Sequence, residues 1–541
     1  MRNYAILGLI LLLGFLVRAY NLNFPSIGYH NMKENEYLSM AQEMQRTQDF
    51  VTRRIYFYNA FDDNPLMKLY PQPPLISYQI LLSWKLLGEN LWGARLFNVF
   101  FGVGSIALIF FLARLLFAEE ALALFSALLL AIMPLAVFFS RNLQPESPAF
   151  FWMLAGTFFY MRFALSGRLR NLIPGGLCFC VAWLYKFSFL VGVLPFVVCM
   201  PYRRIFSGWR QALKSACVFI LPYLVIAGSV FLLKRIGQWE FERAETFNRI
   251  MLLAVFTPDY WAHYGKMIWW YVRGENFTLV FTVLAALGIL FAFLRRKGPL
   301  DRYIMGGVFA LAAYSMVFAD HINQHNYYQM PFLPLVCLSA ALFLSFASGS
   351  LTGIIKRNIT VYLAAGIVLV AAIPAYQSIS RMHSTVFLGQ DVAGESLKEF
   401  TAPHERAFLF TYAQGYAIAR YARRYMGPVK DLEEFERFEK KFDIRYICFY
   451  PAEYAHMLKD SNPPLYEYIR SHYHVKEVGM AEEPNKIFYV ILERGEGSDA
   501  ETFLKSFSGS MQVRAIYNIL GRLVFFYSLR VAPPSADIPH G

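Results

Sequence analysis

Eleven apolar runs with few charged residues follow one another between Tyr4 and Ile373, and they constrain the fold more than any other feature. A helix needs about 20 mostly apolar residues to cross the hydrocarbon, where its backbone groups must bond to one another. Only 16% of the 541 residues are charged, against about a quarter in soluble proteins. The sequence therefore predicts a polytopic α-helical membrane protein with about eleven transmembrane helices, at residues 4–20, 96–117, 122–137, 149–163, 172–184, 187–200, 216–233, 279–293, 304–318, 332–344 and 361–373.

The basic residues set the expected orientation of these spans. If the spans alternate in direction, the clusters between them fall on one side, which the positive-inside rule assigns to the cytoplasm. The net charge of +13 is then explained without a nucleic-acid partner, and we expect none. The loops 21–95 and 234–277, and the chain after Pro374, lie outside the cytoplasm in this topology. We expect an integral multi-pass protein of a plasma membrane, such as the bacterial inner membrane.

The pattern changes after the last apolar run. Short apolar segments at 407–411, 444–450 and 487–492 are typical of buried strands, and helical patterns such as those at 414–426 and 432–442 separate them. We predict a transmembrane domain at residues 1–380 and a soluble extracytoplasmic α/β domain at residues 381–541. The transmembrane domain should carry interfacial outer-loop helices at 21–95 and 235–275, because apolar residues recur there at helical spacing.

Ionisable side chains near the outer boundary of the membrane are the strongest indication of a functional site, since they are costly beside hydrocarbon unless they are paired or used. Lys33, Glu34 and Glu36 fall close together in the first outer loop. A carboxylate there could accept a proton from a hydroxyl nucleophile. The alternative is the solvated face of an amphipathic helix, and the spacing alone leaves both interpretations open.

Three further polar segments lie near the same boundary. Glu146 precedes an apolar run, where a carboxylate can also simply complement the helix dipole. Lys186 is the one charge between two apolar arms, and it could either extend to water or bind a phosphate group. His321 and His325 have the i, i+4 spacing that suits a metal on a helix, but the neighbouring asparagines and Pro331 favour a loop. We therefore predict no metal site.

Five short motifs follow one another between the first span and residue 335. They are His30-Asn-Met-Lys-Glu-Asn-Glu-Tyr-Leu-Ser-Met-Ala, Tyr70-Pro-Gln-Pro-Pro-Leu before Leu91-Trp-Gly-Ala-Arg-Leu, Arg141 to Ser147, Tyr185-Lys186, and His325-Asn-Tyr-Tyr-Gln-Met-Pro. In this order, the chain resembles the membrane glycosyltransferases of the GT-C type. It is similar specifically to the dolichyl-phosphate-mannose protein mannosyltransferases and their bacterial relatives, which include the aminoarabinose transferase that modifies lipid A.

The resemblance implies a GT-C fold and an inverting transfer of a sugar from a polyprenyl-phosphate donor to a hydroxyl of a lipid or protein acceptor at the outer face of the membrane. It implies no required cofactor, although a divalent cation is compatible with it. One alignment of the first motif places the family's general base on Glu36, with Lys33 as the basic residue beside it. Another alignment places the base on Glu34. We favour Glu36 and keep Glu34 as the alternative.

The remaining motifs imply the substrate site. Glu146 matches a second acidic position, which orients the acceptor or the sugar. Gln72 stands where the aminoarabinose branch has a lysine before the Pro-Pro pair, which argues against that donor. We expect these residues to gather in one pocket at the outer boundary of the membrane. The full set expected around the carrier phosphate and the sugar is Lys33, Arg141, Lys186, His325, Tyr327, Tyr328 and Gln72.

A transporter or flippase of lipid-linked substrates is the alternative function, because it too needs buried polar residues in a membrane domain. That class is typically built with interrupted helices in corresponding halves, and the sequence shows no such pair. We therefore predict a glycosyltransferase of the hexosyl or pentosyl type first. The sequence leaves the sugar and the acceptor open.

Overall fold

A computed structural model describes residues 2–51, 53–57, 59–61, 73–235, 253–296, 298–355, 360–411, 415–482, 486–496 and 511–530. By its internal contacts the chain forms two compact units. We call residues 1–22 with 70–382 the membrane unit, and residues 23–69 with 383–541 the sheet unit. The domain boundary at residue 380 and the interfacial position of the outer-loop helices stay predictions.

The described part of the membrane unit is mostly α-helical, as the apolar runs predict. Five of its helical segments are long and apolar enough to cross a membrane by length and composition: Leu91–Phe117, Glu146–Ser166, Trp209–Gly228, Thr278–Arg295 and Asn326–Thr352. The remaining α-helices are Arg2–Arg18, Leu75–Leu87, Glu120–Ile132, Pro134–Phe139, Leu172–Tyr185, Leu194–Cys199, Tyr202–Ile205, Pro258–Trp270, Pro299–Val317, His321–Gln324 and Thr360–Ser384.

The predicted count of eleven spans is not confirmed, because two of the apolar runs do not form continuous helices. The run at 122–137 is divided between the helices Glu120–Ile132 and Pro134–Phe139. The run at 187–200 begins as a 3₁₀ helix, Phe187–Val193, and becomes α-helical only at Leu194–Cys199. Hydropathy cannot detect these breaks, since the residues on both sides of each break are equally apolar.

Arg18 stabilises the break before Pro134. A proline at this position has no N–H to donate to the carbonyl of Leu130, four residues earlier. The Arg18 guanidinium, which is fully buried, donates to the carbonyl oxygens of Leu130 at 3.0 Å and Ala131 at 2.8 Å. A third bond, to the Gly14 carbonyl at 3.0 Å, ties it to its own helix. The first helix therefore supplies the donors that the broken helix lacks.

We expect the substitution Arg18→Met to destabilise the protein by about 3 kcal/mol, because it leaves buried carbonyls without the charged donor that satisfies them. The measurement is the thermal unfolding midpoint of the purified protein in detergent. Arg203→Met is the matched control, since Arg203 is exposed and its loss should change the midpoint little. Equal midpoints for the two variants would show that Arg18 does not hold this helix break.

The sheet unit contains a seven-stranded mixed sheet in the order β2-β1-β3-β5-β4-β7-β6. Strands β1, β2 and β3 are parallel to one another, and the other pairings are antiparallel. The strands are β1 Ala407–Phe410, β2 Met426–Gly427, β3 Tyr446–Phe449, β4 Tyr473–Ala481, β5 Lys486–Arg494, β6 Met511–Ile519 and β7 Arg522–Arg530. The helices are Asn31–Thr47, Gln390–Phe400, Tyr416–Ala422, Leu432–Phe442, Tyr454–Ser461 and Pro463–His472.

Strand β1 shows why this sheet is covered on both faces. Because successive side chains of a strand point to opposite faces, Leu409 joins one buried cluster, with Ile418, while Phe408 joins another, with Phe435. The predicted strands at 407–411, 444–450 and 487–492 are confirmed as β1, β3 and β5, and the predicted helix at 432–442 is confirmed. Strands β2, β4, β6 and β7 were not predicted.

Residues from the first half of the first outer loop contribute to this core. Ile27 and Tyr56 belong to the same buried cluster as Leu409. The Tyr56 carbonyl accepts a hydrogen bond from the Met426 N–H at 3.1 Å, at the start of strand β2. The loop therefore completes the sheet unit, although hundreds of residues separate it from the strands in the sequence.

Candidate active site

Lys186 and Glu146 form a buried ion pair in the membrane unit. The Lys186 Nζ lies 2.5 Å from the Glu146 Oε1, and the two residues are only 5% and 2% exposed. Glu146 opens the helix Glu146–Ser166, so its carboxylate also complements the helix dipole. A lysine that extended to water would be more exposed, and this alternative for Lys186 is therefore wrong.

Two tyrosine rings cover the same ammonium group. The Lys186 Nζ lies 4.0 Å from the ring centroid of Tyr327 and 4.5 Å from that of Tyr328, which is the geometry of a cation–π interaction. The His325 ring stacks on Tyr327 with centroids 5.0 Å apart and planes 10° from parallel. The structure thus brings together four of the residues expected around the carrier phosphate, and Glu146 with them. We call these five residues the lysine cluster.

Two similar helix interruptions build the lysine cluster. Lys186 is extended and is followed by the seven-residue 3₁₀ helix Phe187–Val193. His325 is also extended and is followed by the seven-residue 3₁₀ helix Asn326–Phe332. The two 3₁₀ helices pack against each other. Runs of this length are uncommon and often mark functional positions. These two interruptions were not predicted, since equally apolar 3₁₀ and α segments look alike in the sequence.

The other two candidates of the membrane unit are Arg141 and Gln72. The Arg141 Nη2 donates to the backbone carbonyl of Asn21 at 2.6 Å. This arginine is therefore bonded to the turn that follows the first helix. Its role in phosphate binding stays a prediction. Gln72 lies outside the described residues.

The candidate base lies in the sheet unit, on the helix Asn31–Thr47. Glu36 is fully buried, and both of its carboxylate oxygens contact the Lys33 Nζ, at 3.2 and 2.9 Å. Glu34 is 4% exposed and accepts a hydrogen bond from the Ser26 hydroxyl at 2.6 Å. The alternative of a solvated helix face is wrong, because both carboxylates are buried.

Neighbouring polar residues fix this helix within the sheet unit. The Asn35 Oδ1 accepts a bond from the Arg420 Nε at 3.0 Å. Burial raises the pKa of Tyr425, so its hydroxyl stays protonated and donates to the Glu43 carboxylate at 2.7 Å. These contacts attach the helix to residues near strand β2 and hold the Glu36 backbone in place. That Glu36 and the lysine cluster share one pocket stays a prediction.

Residues 71–236, which contain Arg141, Glu146 and Lys186, match the family model described as dolichyl-phosphate-mannose-protein mannosyltransferase. The chain is also 32% identical over 197 residues to the undecaprenyl phosphate-alpha-4-amino-4-deoxy-L-arabinose arabinosyl transferase of Pseudomonas aeruginosa (strain UCBPP-PA14), an alignment that covers 36% of this chain and 34% of the relative. The chain spans about a third of the length of the curated relatives it matches.

Two solved structures are similar over most of the chain. ArnT from Cupriavidus metallidurans bound to undecaprenyl phosphate has a TM-score of 0.52 and 15% identity, and covers 98% of each chain. AglB from Archaeoglobus fulgidus, in complex with an inhibitory peptide and a dolichol-phosphate, has a TM-score of 0.55 and 14% identity, and covers 90% of this chain and 74% of its own. The chain therefore has the GT-C fold. The expected fold class and the resemblance to the mannosyltransferase family and its bacterial relatives are confirmed.

Some buried polar residues of the GT-C membrane unit escaped the sequence analysis. Asn98 lies inside an apolar run and is fully buried. Its side-chain nitrogen donates to the backbone carbonyl of Gln144 at 3.0 Å. Its backbone carbonyl accepts a hydrogen bond from the Ser147 hydroxyl, also at 3.0 Å. Asn98 thus holds the segment on both sides of Glu146. An asparagine within an otherwise apolar run is the signal that could have identified it.

The described residues contain no group of three or more His, Cys, Asp or Glu side chains that could hold a metal ion. The predicted loop at the two histidines is wrong, because His321 begins the short helix His321–Gln324 and a 3₁₀ helix begins at Asn326. Only His325 between them is extended, so the two histidines do not lie on one continuous helix. The two rings contact tyrosines instead, since His321 packs on Tyr328 with centroids 5.1 Å apart. That the GT-C protein needs no metal or other cofactor stays a prediction.

Proposed function

We propose that this protein is a glycosyltransferase that moves a sugar from a polyprenyl-phosphate donor to a hydroxyl group of a lipid or protein acceptor at the outer face of the membrane. The observation that carries the proposal is the buried Lys186–Glu146 pair under two tyrosine rings, within the residues that match the mannosyltransferase family model. The name of the bacterial relative and the ligand of the ArnT structure both contain undecaprenyl phosphate.

Lys186 is suited to stabilise the leaving phosphate. When the bond between the sugar carbon and the phosphate oxygen breaks, its electron pair goes to the oxygen, and negative charge develops there. A fixed ammonium group in a water-poor site stabilises such charge strongly. Glu146 and the faces of the Tyr327 and Tyr328 rings keep the ammonium in place in the absence of a donor. Tight placement of this kind reduces the reorganisation needed during the reaction.

Glu36 is the proposed general base. It would accept the proton of the acceptor hydroxyl while the hydroxyl oxygen forms the new bond to the sugar carbon, opposite the departing phosphate. This single displacement inverts the configuration at that carbon. A positioned base contributes about 10²–10⁴-fold to such a step. The contact of Lys33 with both carboxylate oxygens supports the assignment, because it fixes the orientation of the carboxylate.

The outer location of the reaction rests on the distribution of basic residues. The positive-inside rule places the clusters between spans in the cytoplasm. The segments that carry Glu36, Glu146 and His325 then lie outside, where a lipid or protein acceptor would meet the donor. The choice between a hexose and a pentose, and the identity of the acceptor, are left to experiment.

The transporter alternative is not favoured. The pair of interrupted helices is a feature that transporters also use. In this chain, however, both interruptions carry residues of the lysine cluster, and the family match and the GT-C fold point to sugar transfer.

The test is cleavage of the donor. Membranes that contain the protein are incubated with a panel of radiolabelled polyprenyl-phosphate sugars, and the released polyprenyl phosphate and the labelled product are separated by chromatography. We expect release of carrier phosphate in proportion to labelled acceptor, and no loss of activity when EDTA is added. Membranes without the protein are the control. Movement of intact donor across vesicles without cleavage would reject the transferase and support the transporter.

A further inference from the structure

A second buried polar cluster adjoins the tyrosines of the lysine cluster. It consists of Glu275, Asn276, Asn326 and Gln329, each at most 8% exposed. Glu275 and Asn276 end a π-helix, Tyr271–Asn276, and Asn326 and Gln329 belong to the 3₁₀ helix that carries Tyr327 and Tyr328. Single-turn π-helices are rare and are frequent at functional sites. None of these four residues has a role in the proposed sugar transfer.

The hydrogen bonds of this cluster hold the 3₁₀ helix at its first turn. The Asn326 Nδ2 donates to the Glu275 Oε2 at 2.9 Å. The Asn276 Nδ2 donates both to the Asn326 backbone carbonyl and to the Gln329 Oε1, each at 3.0 Å. The side chain and the backbone of Asn326 are therefore both fixed, and the next two residues are the tyrosines that cover the Lys186 ammonium.

The π-helix is itself held from several sides. The Ser378 hydroxyl donates to the Glu275 carbonyl at 2.8 Å. The Trp270 Nε1 donates to the Glu275 Oε1 at 3.4 Å, and the Arg381 guanidinium lies 4.7 Å from a ring centroid of Trp270. Glu275 thus connects the outer-loop helix Pro258–Trp270 and the helix Thr360–Ser384 to the 3₁₀ helix Asn326–Phe332.

A buried polar network is a costly way to join helices, because apolar packing of similar volume is usually at least as stable. Unlike apolar packing, directed hydrogen bonds hold the bonded groups in a single orientation. The rings of Tyr327 and Tyr328 need such an orientation, since a cation–π contact depends on the position of the cation over the ring face.

We propose that Glu275 and Asn276 are positioning residues, which fix the Tyr327 and Tyr328 rings over Lys186 and thereby set the affinity of the site for the donor phosphate. The inference rests on the proposed function. Neither residue needs to touch the donor: each acts on the donor through the 3₁₀ helix.

The test exchanges the donor and the acceptor of the hydrogen bond between Asn326 and Glu275. Asn326→Asp places a second carboxylate against Glu275, and we expect the KM for the polyprenyl-phosphate donor to rise about tenfold while kcat changes less than about threefold. In the double variant Glu275→Gln with Asn326→Asp, the new amide donates to the new carboxylate. It also offers an oxygen to Trp270, so the KM should return to within about threefold of the wild-type value. Glu275→Gln alone offers a single oxygen to the two donors Asn326 and Trp270, so its donor KM should rise above the wild-type value but less than that of Asn326→Asp.

Two further variants make the outcome decisive. Gln324→Glu adds the same charge at an exposed position nearby and should leave the donor KM unchanged. Asn276→Ala removes two hydrogen bonds without adding charge, and it should raise the donor KM even if Asn326→Asp does not fold. An active protein whose donor KM is the same in Asn326→Asp and Asn276→Ala as in the wild type would overturn the positioning role. A wild-type protein that cleaves no donor would instead reject the proposed function.

Discussion

The double substitution of Lys186→Met with Glu146→Gln is expected to lower kcat/KM for the donor by about 10²–10³-fold, the usual effect of removing one charge-stabilising donor from an active site. The pair is replaced together because the two residues are buried and lie 2.5 Å apart. Removing Lys186 alone would leave a buried carboxylate without its cation, at a cost of about 3–5 kcal/mol. The double variant leaves no such charge and should stay folded.

The control variants distinguish the effect of losing the Lys186 charge from the effect of changing the packing around it. Lys186→Arg keeps a cation under the tyrosine rings and should retain more activity than the double variant, although its planar group does not replace an ammonium fully. Glu146→Gln alone tests the acidic position, and its thermal midpoint is needed because it leaves the buried ammonium without its carboxylate. Donor cleavage is measured with the labelled polyprenyl-phosphate sugar, and thermal midpoints confirm folding. A folded double variant with nearly wild-type kcat/KM would remove Lys186 from the phosphate site.

Glu36→Gln is expected to reduce kcat by about 10²–10⁴-fold, because an amide cannot accept the proton of the acceptor hydroxyl. The shape of the side chain is preserved, and Lys33, whose side chain is 33% exposed, can turn to solvent when it loses the carboxylate. We therefore expect normal protein levels and a KM for the donor close to the wild-type value. The measurement is single-turnover transfer with saturating donor.

Two other glutamates of the same helix serve as controls for Glu36. Glu34 accepts the Ser26 hydroxyl bond and Glu43 accepts the Tyr425 hydroxyl bond, and an amide oxygen can accept either bond. Glu34→Gln and Glu43→Gln should therefore keep most of the activity. If Glu34→Gln is inactive and Glu36→Gln is active, the base is Glu34, and the alignment that places it on Glu36 is wrong by two residues.

Much of the secondary structure was predictable because its causes are local. The helix Leu432–Phe442 and strands β1, β3 and β5 coincide closely with apolar patterns of period 3.6 or 2. The apolar runs predict the helical membrane unit for the same reason, since the bilayer requires each helix to satisfy its own backbone. Strand β6 was missed because it lies at the edge of the sheet and its side chains are largely exposed, which leaves little apolar pattern to detect.

The sequence by itself determined the membrane class, the resemblance to GT-C transferases and the ionisable residues worth examining. Only the tertiary structure decided that Lys186 pairs with Glu146, 40 residues away, and lies under Tyr327 and Tyr328. It also decided that the first outer loop completes the core of the sheet unit. Hydropathy and periodicity report which residues avoid water. The pairing of buried residues depends on helix breaks and on hydrogen bonds between distant segments. Neither of these produces a periodic pattern in the sequence.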